Sequence, residues 1–295
     1  MPQATDLYNA EAVTEIFDRA AGALRGSPRR SGSVVRLPAS GRLLVTGDLH
    51  DNPVHLEKIM RLARLEASSE HHVVLHELIH GERLINGMDF SHRVLARVAG
   101  LVVGRPGQVH PLLGNHELAQ MTGRAVSKGA GNSVEQFNDG LEFVYGDAAA
   151  TVSGAIGRFI RAMPIALKSE SGLLCAHSLP GAAAMGRFDC GLLERDLQEE
   201  DYRSGEGSAH LMVWGRRHTP EQIETLADRW QVTLFCLGHQ HAETGIEIKG
   251  PRVVVLNSDH DFARVLPIDL AALPSPEEAL DSAIALAAVG GEGGK

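Results

Sequence analysis

The side chains of this sequence that could do chemistry lie in five short polar clusters, each placed where an apolar run stops. In order, the clusters are Gly47-Asp48-Leu49-His50, His76-Glu77, Gly114-Asn115-His116-Glu117, His177 and Gly238-His239-Gln240-His241. They offer carboxylate oxygens, an amide oxygen and imidazole nitrogens, with no thiolate among them. Such a donor set suits a pair of hard or borderline divalent ions such as Mn²⁺, Fe or Zn²⁺.

The elements that must position these clusters are short strands. Apolar runs of this length are typical of buried strands, and ligands of open α/β sheets gather outside the strand ends. One site is therefore expected to draw on all five clusters. Helical periodicity between the strand candidates predicts an α/β architecture. The predicted helices cover residues 11–24, 53–65, 88–101, 138–162 and 220–230.

The sequence predicts one domain with a lid insertion and a C-terminal tail. Residues 1–273 are expected to form one domain, with an N-terminal helix over about 10–25 and a core over about 34–270. The stretch 117–137 is rich in Gly, Ser, Gln and Lys, which favours a lid insertion above the site. Residues 274–295 are expected to form a peripheral Ala/Gly-rich tail that contains a helix over 277–288.

Composition narrows the class of protein. With 295 residues, 43% of them apolar, the chain can bury a sizeable core, and no run approaches the roughly 20 apolar residues of a membrane span. The N-terminus lacks a signal-peptide pattern, so we expect a cytoplasmic protein with no membrane partner. The three cysteines, Cys175, Cys190 and Cys236, are expected to be buried hydrophobes rather than a disulfide frame.

The net charge of −9 argues against binding to long nucleic acid, because that affinity comes largely from Lys and Arg contacts to phosphates. It leaves open a small phosphoester or a phosphoprotein as the partner, since bound metal ions would reverse the local sign of charge. The sequence predicts no particular oligomeric state.

The residue types also suggest a role for each side chain in the site. Two ions roughly 3.5 to 4 Å apart can share a carboxylate and a water, and can bind the oxygens of a phosphoryl group during displacement. Glu77 is the natural bridging carboxylate, and His116, next to a ligand, would act as general acid for the leaving group. The seven expected ligands are Asp48, His50, Glu77, Asn115, His177, His239 and His241.

The order of these clusters resembles the calcineurin-like metallophosphoesterase superfamily, whose pattern runs D-x-H, G-D-x-x-D-R-G, G-N-H-E/D, H and G-H-x-H. The resemblance covers roughly residues 42–270. Within the superfamily, the sequence is most similar to the bacterial and phage branch of the phosphoprotein phosphatases. It implies a four-layer αββα sandwich of two mixed sheets with a dinuclear metal site at the strand ends. In that branch a W-x-R segment binds the substrate phosphate, and Trp214-Gly215-Arg216 matches it, which makes Arg216 the expected phosphate ligand.

The second cluster departs from the superfamily pattern. Glu77 takes the bridging Asp position with one extra methylene. His80 falls where an Asp normally orients the catalytic His, and Gly81 falls where an Arg normally holds phosphate. Glu82 could take over a helper function after a small shift of the turn, and Glu117 could orient His116.

Two other assignments stay open at this stage. His76 and His80 are each compatible with a residue that supports the ligands or with a solvated turn residue. The function indicated is hydrolysis of phosphomonoesters, with a metal-bridging hydroxide as nucleophile and Mn²⁺ as the metal, or alternatively Fe, Zn²⁺ or Ni²⁺. The alternatives are a nucleotide phosphodiesterase or dinucleoside polyphosphate hydrolase, and a metal-binding module that has lost turnover.

Overall fold

The computed structural model describes residues 5–124, 127–128 and 131–290. Its α-helices are α1 (Ala10–Arg25), α2 (Pro53–Ala63), α3 (His92–Gly104), α4 (Asn115–Thr122), α5 (Ser133–Tyr145), α6 (Ala149–Ala162), α7 (Ser208–Val213), α8 (Pro220–Trp230) and α9 (Pro276–Ser282). Its strands are β1 (Arg30–Ser31), β2 (Val34–Leu37), β3 (Arg42–Asp48), β4 (His71–His76), β5 (Leu84–Ile85), β6 (Met88–Asp89), β7 (Val109–Pro111), β8 (Ser127–Lys128), β9 (Gly131–Asn132), β10 (Ala166–Ser169), β11 (Leu173–Ala176), β12 (Leu234–Leu237), β13 (Ile246–Gly250), β14 (Val253–Leu256), β15 (Arg264–Asp269) and β16 (Ile284–Ala285).

Two mixed sheets form the centre of the molecule. One has the strand order β1-β2-β10-β11-β12-β14-β13 and the other has the order β16-β15-β3-β4-β7. Strands β3, β4 and β7 run parallel to one another in one sheet, as do β11, β12 and β14 in the other. The polar clusters that follow β3, β4, β11 and β12 therefore lie at carboxyl ends of parallel strands.

Alternation along the strands shows how the layers pack. Leu43 and Val45 of β3 pack in the core between the two sheets, together with Cys236 of β12, whereas Leu44 and Phe235 belong to the core under the helices. Because successive side chains of a strand point to opposite faces, each sheet is buried on both faces. The expected αββα sandwich of two mixed sheets is confirmed.

Several predicted elements differ in their bounds. The region 138–162 forms α5 and α6 instead of one helix, since Gly146 adopts a left-handed φ of 51° and a 3-10 turn, Gly146–Ala148, separates them. The helix predicted over 88–101 begins at His92, because Met88–Asp89 forms the second strand of a hairpin. Within the expected lid, residues 125–126 and 129–130 lie outside the described residues.

The C-terminal segment also differs from its predicted helix. Helix α9 ends at Ser282 instead of continuing to 288, and Ile284–Ala285 pairs with β15 at the edge of the five-stranded sheet. Leu286, which follows that strand, is fully buried. This segment therefore packs against the sheet, while residues 291–295 lie outside the described residues.

The structure bears on two expectations, one about the cysteines and one about membrane-spanning helices. Cys175 and Cys236 are buried at paired positions of β11 and β12, Cys190 is partly buried, and all three are free thiols. Along residues 5–124, 127–128 and 131–290, none of the helices has both the length and the apolar character needed to cross a membrane.

Candidate metal centre

The two sheets meet next to the polar clusters. A β-bridge joins Asp48, at the end of β3, to Asn257, just beyond β14. A Cβ on Gly47 would lie only 1.9 Å from the carbonyl oxygen of Leu256. Glycine is therefore required before Asp48, because any side chain would push the sheets apart at the point where the site forms.

The turns that carry the candidate ligands have unusual backbone. His50, Glu77 and His239 have φ values of 41°, 41° and 64°, in the left-handed region that non-glycine residues seldom adopt. The backbone N–H groups of Leu49 and His50 both donate to the Glu77 carbonyl, at 3.0 and 2.9 Å. Such strained turns persist where the surrounding structure holds them, and they concentrate at functional sites.

Glu77 lies at the centre of the ligand atoms. Its Oε2 is 3.5 Å from His50 Nε2 and 3.6 Å from His177 Nε2. Two groups of donor atoms, each within 4.8 Å of one another, contain it: Asp48, His50 and Glu77 in the first, and Glu77, His177 and His239 in the second. One carboxylate is thus shared by two neighbouring sets of three ligands.

Asn115 completes the second set. His177 Nε2 lies 2.7 Å from Asn115 Oδ1 and 3.1 Å from His239 Nδ1. Asn115 is the first residue of α4, and Gly114, immediately before it, is the N-cap of that helix. Four donor groups from four different segments therefore converge on one point.

The electrostatics of the cluster fit divalent cations. Burial raises the pKa of Asp48 to about 7, and burial keeps the pKa of His177 well below its usual range. Burial, followed by the positive charge of Arg216, lowers the pKa of His239 to about 3. Neutral imidazoles are the form that binds metals, and a cation would offset the cost of burying the carboxylates. The donor set therefore fits two metal ions.

His241 is the expected ligand that the structure does not bring into the cluster. Its side chain is exposed, and its ring lies 5.8 Å from that of His260 between centroids. The positive φ of His239 and a tight hydrogen bond from Gln240 N to Gly238 O turn the chain before His241. The G-H-x-H pattern fixes the spacing of these residues but not this turn, and His241 lies outside the two groups of donor atoms that contain Glu77.

His76 is one of the two histidines whose surroundings the sequence left open. It is fully buried, which excludes a solvated turn residue, and its ring groups with Asp48 and His177. Burial lowers its pKa to about 3. A Cβ on Gly238 would meet both Asp48 Oδ1, at 2.3 Å, and His76 Nδ1, at 3.0 Å. His76 therefore packs under the ligand cluster, and the glycine of the fifth cluster makes room for it.

His116, the expected general acid, lies beside the shared carboxylate. Its Nε2 is 3.9 Å from Glu77 Oε1, and its backbone N–H donates to the same oxygen at 3.1 Å. Its ring is 5.4 Å from the His50 ring and 5.3 Å from the His80 ring between centroids. One nitrogen of His116 thus faces the ligand cluster.

The three expected helper residues lie in different surroundings. Glu117 is fully buried and accepts from Leu78 N at 2.7 Å, so it anchors the turn after Glu77. Burial raises its pKa to about 7. Glu82 is exposed. His80 is buried, with Nδ1 3.0 Å from Asp89 Oδ2, and Asp89 is a residue that the sequence analysis did not single out.

Steric contacts explain why residue 81 is a glycine. A Cβ at this position would lie 2.5 Å from the carbonyl oxygen of His50. An arginine there, as in the superfamily pattern, would need a shift of the turn that carries a candidate ligand. Arg216 is exposed, and its positive charge, after burial, lowers the pKa of His239.

Comparisons with known proteins show the family and the fold. The family model described as "Calcineurin-like phosphoesterase" matches residues 41–243. None of the curated proteins matches the chain. A serine/threonine phosphatase of Saccharomyces cerevisiae with similarity to human phosphatase PP5 superposes with a TM-score of 0.63 at 15% identity, over 88% of this chain and 83% of that one.

A second solved structure shares the fold. The cold-active protein-tyrosine phosphatase of a psychrophilic Shewanella superposes with a TM-score of 0.54 at 15% identity, over 85% of this chain and 80% of that one. Because the family model covers more than half of the chain, the protein belongs to the calcineurin-like phosphoesterase family and is a phosphoric ester hydrolase. The two phosphatases are evidence for the fold alone.

Proposed function

We propose that this protein hydrolyses phosphomonoesters at a dinuclear metal site centred on Glu77. The observation that supports it is the sharing of one carboxylate between the Asp48–His50–Glu77 group and the Glu77–His177–His239 group. Two divalent ions held by these residues would supply Lewis-acid chemistry: they would lower the pKa of a water that attacks phosphorus and would bind the phosphoryl oxygens. Asn115 would add a neutral oxygen to the second ion.

The same donor set indicates which metal ion the site would bind. Carboxylate, amide and imidazole ligands without a thiolate suit Mn²⁺, and Fe, Zn²⁺ or Ni²⁺ are the alternatives that a metal panel would distinguish. The expected cytoplasmic location and the choice between phosphoprotein and small-molecule substrates stay predictions from the sequence.

His116 would supply the proton to the leaving group. Its Nε2 faces the shared carboxylate across 3.9 Å, so it lies beside the candidate ligands, where it would reach the leaving-group oxygen of a substrate. Its place as the second residue of α4, with its backbone N–H held by Glu77, fixes the direction of the side chain. Arg216, whose positive charge helps to lower the pKa of His239, would bind phosphate oxygens through its guanidinium.

A substrate and metal panel tests the proposal. Metal content should be about two ions per chain, and 4-nitrophenyl phosphate should be hydrolysed faster than bis(4-nitrophenyl) phosphate in the presence of Mn²⁺. Faster cleavage of the diester would support the phosphodiesterase alternative. Two bound ions without turnover of either ester would support the metal-binding module.

The His116→Asn variant tests the acid. It should keep both ions and lose about 10² to 10⁴ in kcat for phenyl phosphate, whose leaving group needs a proton. The loss should be smaller for 4-nitrophenyl phosphate, because nitrophenolate leaves without help. Equal losses on both substrates would refute the acid role of His116.

A further inference from the structure

Two adjoining cavities form a groove along helix α3. One cavity, of 410 Å³, lies between α3 and strand β5, with Phe90 in its lining. The other, of 800 Å³, lies where α1, α2 and α3 meet and is lined mostly by apolar side chains. Pro53 and Arg97 line both cavities, so the groove is continuous. Between Arg93 and Val103, which line its two parts, α3 rises by about 15 Å.

The exposed apolar side chains of the protein surround this groove. Among the described residues, five of the six large apolar side chains that are exposed lie around it, each between 40% and 70% exposed: Tyr8, Val54, Leu84, Ile85 and Phe143. Two of them line the smaller cavity, one follows Pro53, one packs on Phe90 and one packs on Arg93. Single exposed apolar residues are ordinary, whereas a cluster of them marks a surface that binds another molecule.

Arg93 and Arg97 give the groove a positive charge that its own acids do not offset. They are four residues apart on α3, so they lie on the same side of the helix. The two acids in the lining, Asp51 and Glu57, are each paired with a different arginine, at 3.2 and 3.8 Å. In the part of the chain that the structure describes, no carboxylate oxygen lies within 4.0 Å of Arg93 or Arg97. The groove therefore suits a ligand that brings carboxylates with it.

The guanidinium of Arg93 is held in place by aromatic rings. Its central carbon lies 5.2 Å from the ring centroid of Tyr8 and 4.8 Å from that of Phe90. Its Nε is buried and has no hydrogen-bond partner among the described residues. Contacts with ring faces fix the guanidinium without using its N–H groups, and those groups bind a carboxylate in a planar, two-pronged geometry. Arg93 is thus preorganised for an acid that comes from another molecule.

We propose that this groove docks an acidic segment of a partner protein. Apolar side chains of the segment would fill the cavity between the three helices, and its carboxylates would bind Arg93 and Arg97. Together the two cavities exceed the roughly 300–1,000 Å³ of a small-molecule pocket, and a length of about 15 Å matches nearly three turns of an amphipathic helix. The net charge of −9 disfavours an anionic bilayer as the occupant.

The position of the groove places such a partner beside the metal centre. Asp51, in the lining of the smaller cavity, directly follows the candidate ligand His50. The docking itself does not depend on the proposed catalytic function, because it involves none of the candidate ligands. It can therefore be measured as binding, without turnover.

A peptide display selection tests the chemistry of the occupant. Random peptides would be selected on the immobilised full chain, and fluorescein-labelled copies of those recovered would be titrated by fluorescence anisotropy. We expect enrichment of Asp and Glu together with Leu, Ile or Phe, and a Kd that rises with salt because charge contributes to binding. Recovery of no binding peptide, or of peptides without acidic residues, would overturn the inference.

Charge variants test where the recovered peptides bind. Arg93→Gln/Arg97→Gln should raise their Kd about 10- to 100-fold, as expected for the loss of charged hydrogen bonds. The control Arg187→Gln/Arg229→Gln removes the same charge from exposed arginines outside the groove and should leave the Kd nearly unchanged. Because Arg97 is exposed and carries no structural contact of this kind, Arg97→Gln alone should still raise the Kd several-fold if the loss of Arg93 lowers the unfolding temperature. Equal effects of the groove and control variants would refute the inference.

Apolar variants complete the test. Leu84→Ser/Ile85→Ser should raise the Kd about tenfold, whereas Phe262→Ser, which removes an equally exposed apolar side chain elsewhere, should not. Gel filtration with light scattering should show a monomer. A dimer that Leu84→Ser/Ile85→Ser dissociates would assign the groove to a second copy of this chain and overturn the proposal of an acidic partner.

Discussion

Shortening the shared carboxylate is the change that most directly tests the metal centre. Glu77→Asp restores the residue of the superfamily pattern but withdraws the carboxylate by about 1.5 Å, one C–C bond. Metal–ligand distances tolerate only about 0.2 Å. In the structure, Glu77 Oε2 is 3.5 Å from His50 Nε2 and 3.6 Å from His177 Nε2. Its carboxylate therefore lies midway between the two groups of ligands, and the shorter side chain of Asp would not reach this position.

We therefore expect Glu77→Asp to bind one ion tightly and the other weakly. The substitution also takes away the acceptor of the His116 backbone N–H, which is buried at the start of α4. An unsatisfied buried donor costs about 1–3 kcal/mol, so the variant should unfold at a lower temperature even without metal. Elemental analysis after gel filtration and calorimetric titration with Mn²⁺ measure the first effect, and thermal unfolding of chelated protein measures the second.

Glu77→Gln is the matched control, since it keeps the length and one oxygen but removes the charge. It should retain the bond to His116 N and most of the stability, yet lose metal affinity. Retention of two ions with unchanged affinity in Glu77→Asp, or a gain of phosphatase activity in Glu77→Asp/His80→Asp, would refute the reasoning that the surroundings are adapted to the longer side chain.

Two further predictions follow from the placement of histidines. His241→Ala should leave metal content and kcat nearly unchanged, whereas His239→Ala should lose one ion, because only His239 reaches the cluster; equal losses would place His241 in the site. Burial lowers the pKa of His72 and His92 to about 4 and that of His110 to about 3. Each of them should contribute fully to the free energy of unfolding above about pH 6.5, and this contribution should fall by up to about 1.4 kcal/mol per pH unit as the pH drops towards 4, because the unfolded chain takes up protons first. Burial raises the pKa of Asp48 and Glu117 to about 7, which gives the opposite trend, so the test compares a variant with the unmodified protein. By urea unfolding, the change in the free energy of unfolding from pH 7 to pH 5.5 should be more favourable in His92→Phe by about 1 kcal/mol, and an equal change in both proteins would contradict the prediction.

Much of the fold could be predicted because its signals are local. Short apolar runs that stop at polar clusters indicate strand ends, and helical periodicity between them indicates the α/β arrangement. The limits of helices were less predictable. The break at Gly146 depends on one backbone angle, and the pairing of Ile284–Ala285 with β15 depends on a partner strand far away in the chain.

Within the candidate site, the sequence by itself determined the residue types and their order, which is enough to indicate a metal-dependent phosphoester hydrolase. Only the tertiary structure decided which side chains meet. A turn at His239 separates the side chain of His241 from the ligand cluster, and a glycine at position 238 makes room for His76. Asp89 reaches His80 through a hairpin between them. The physical reason is that a side chain's direction in a turn is set by φ, ψ and contacts with distant segments, and spacing along the chain carries neither.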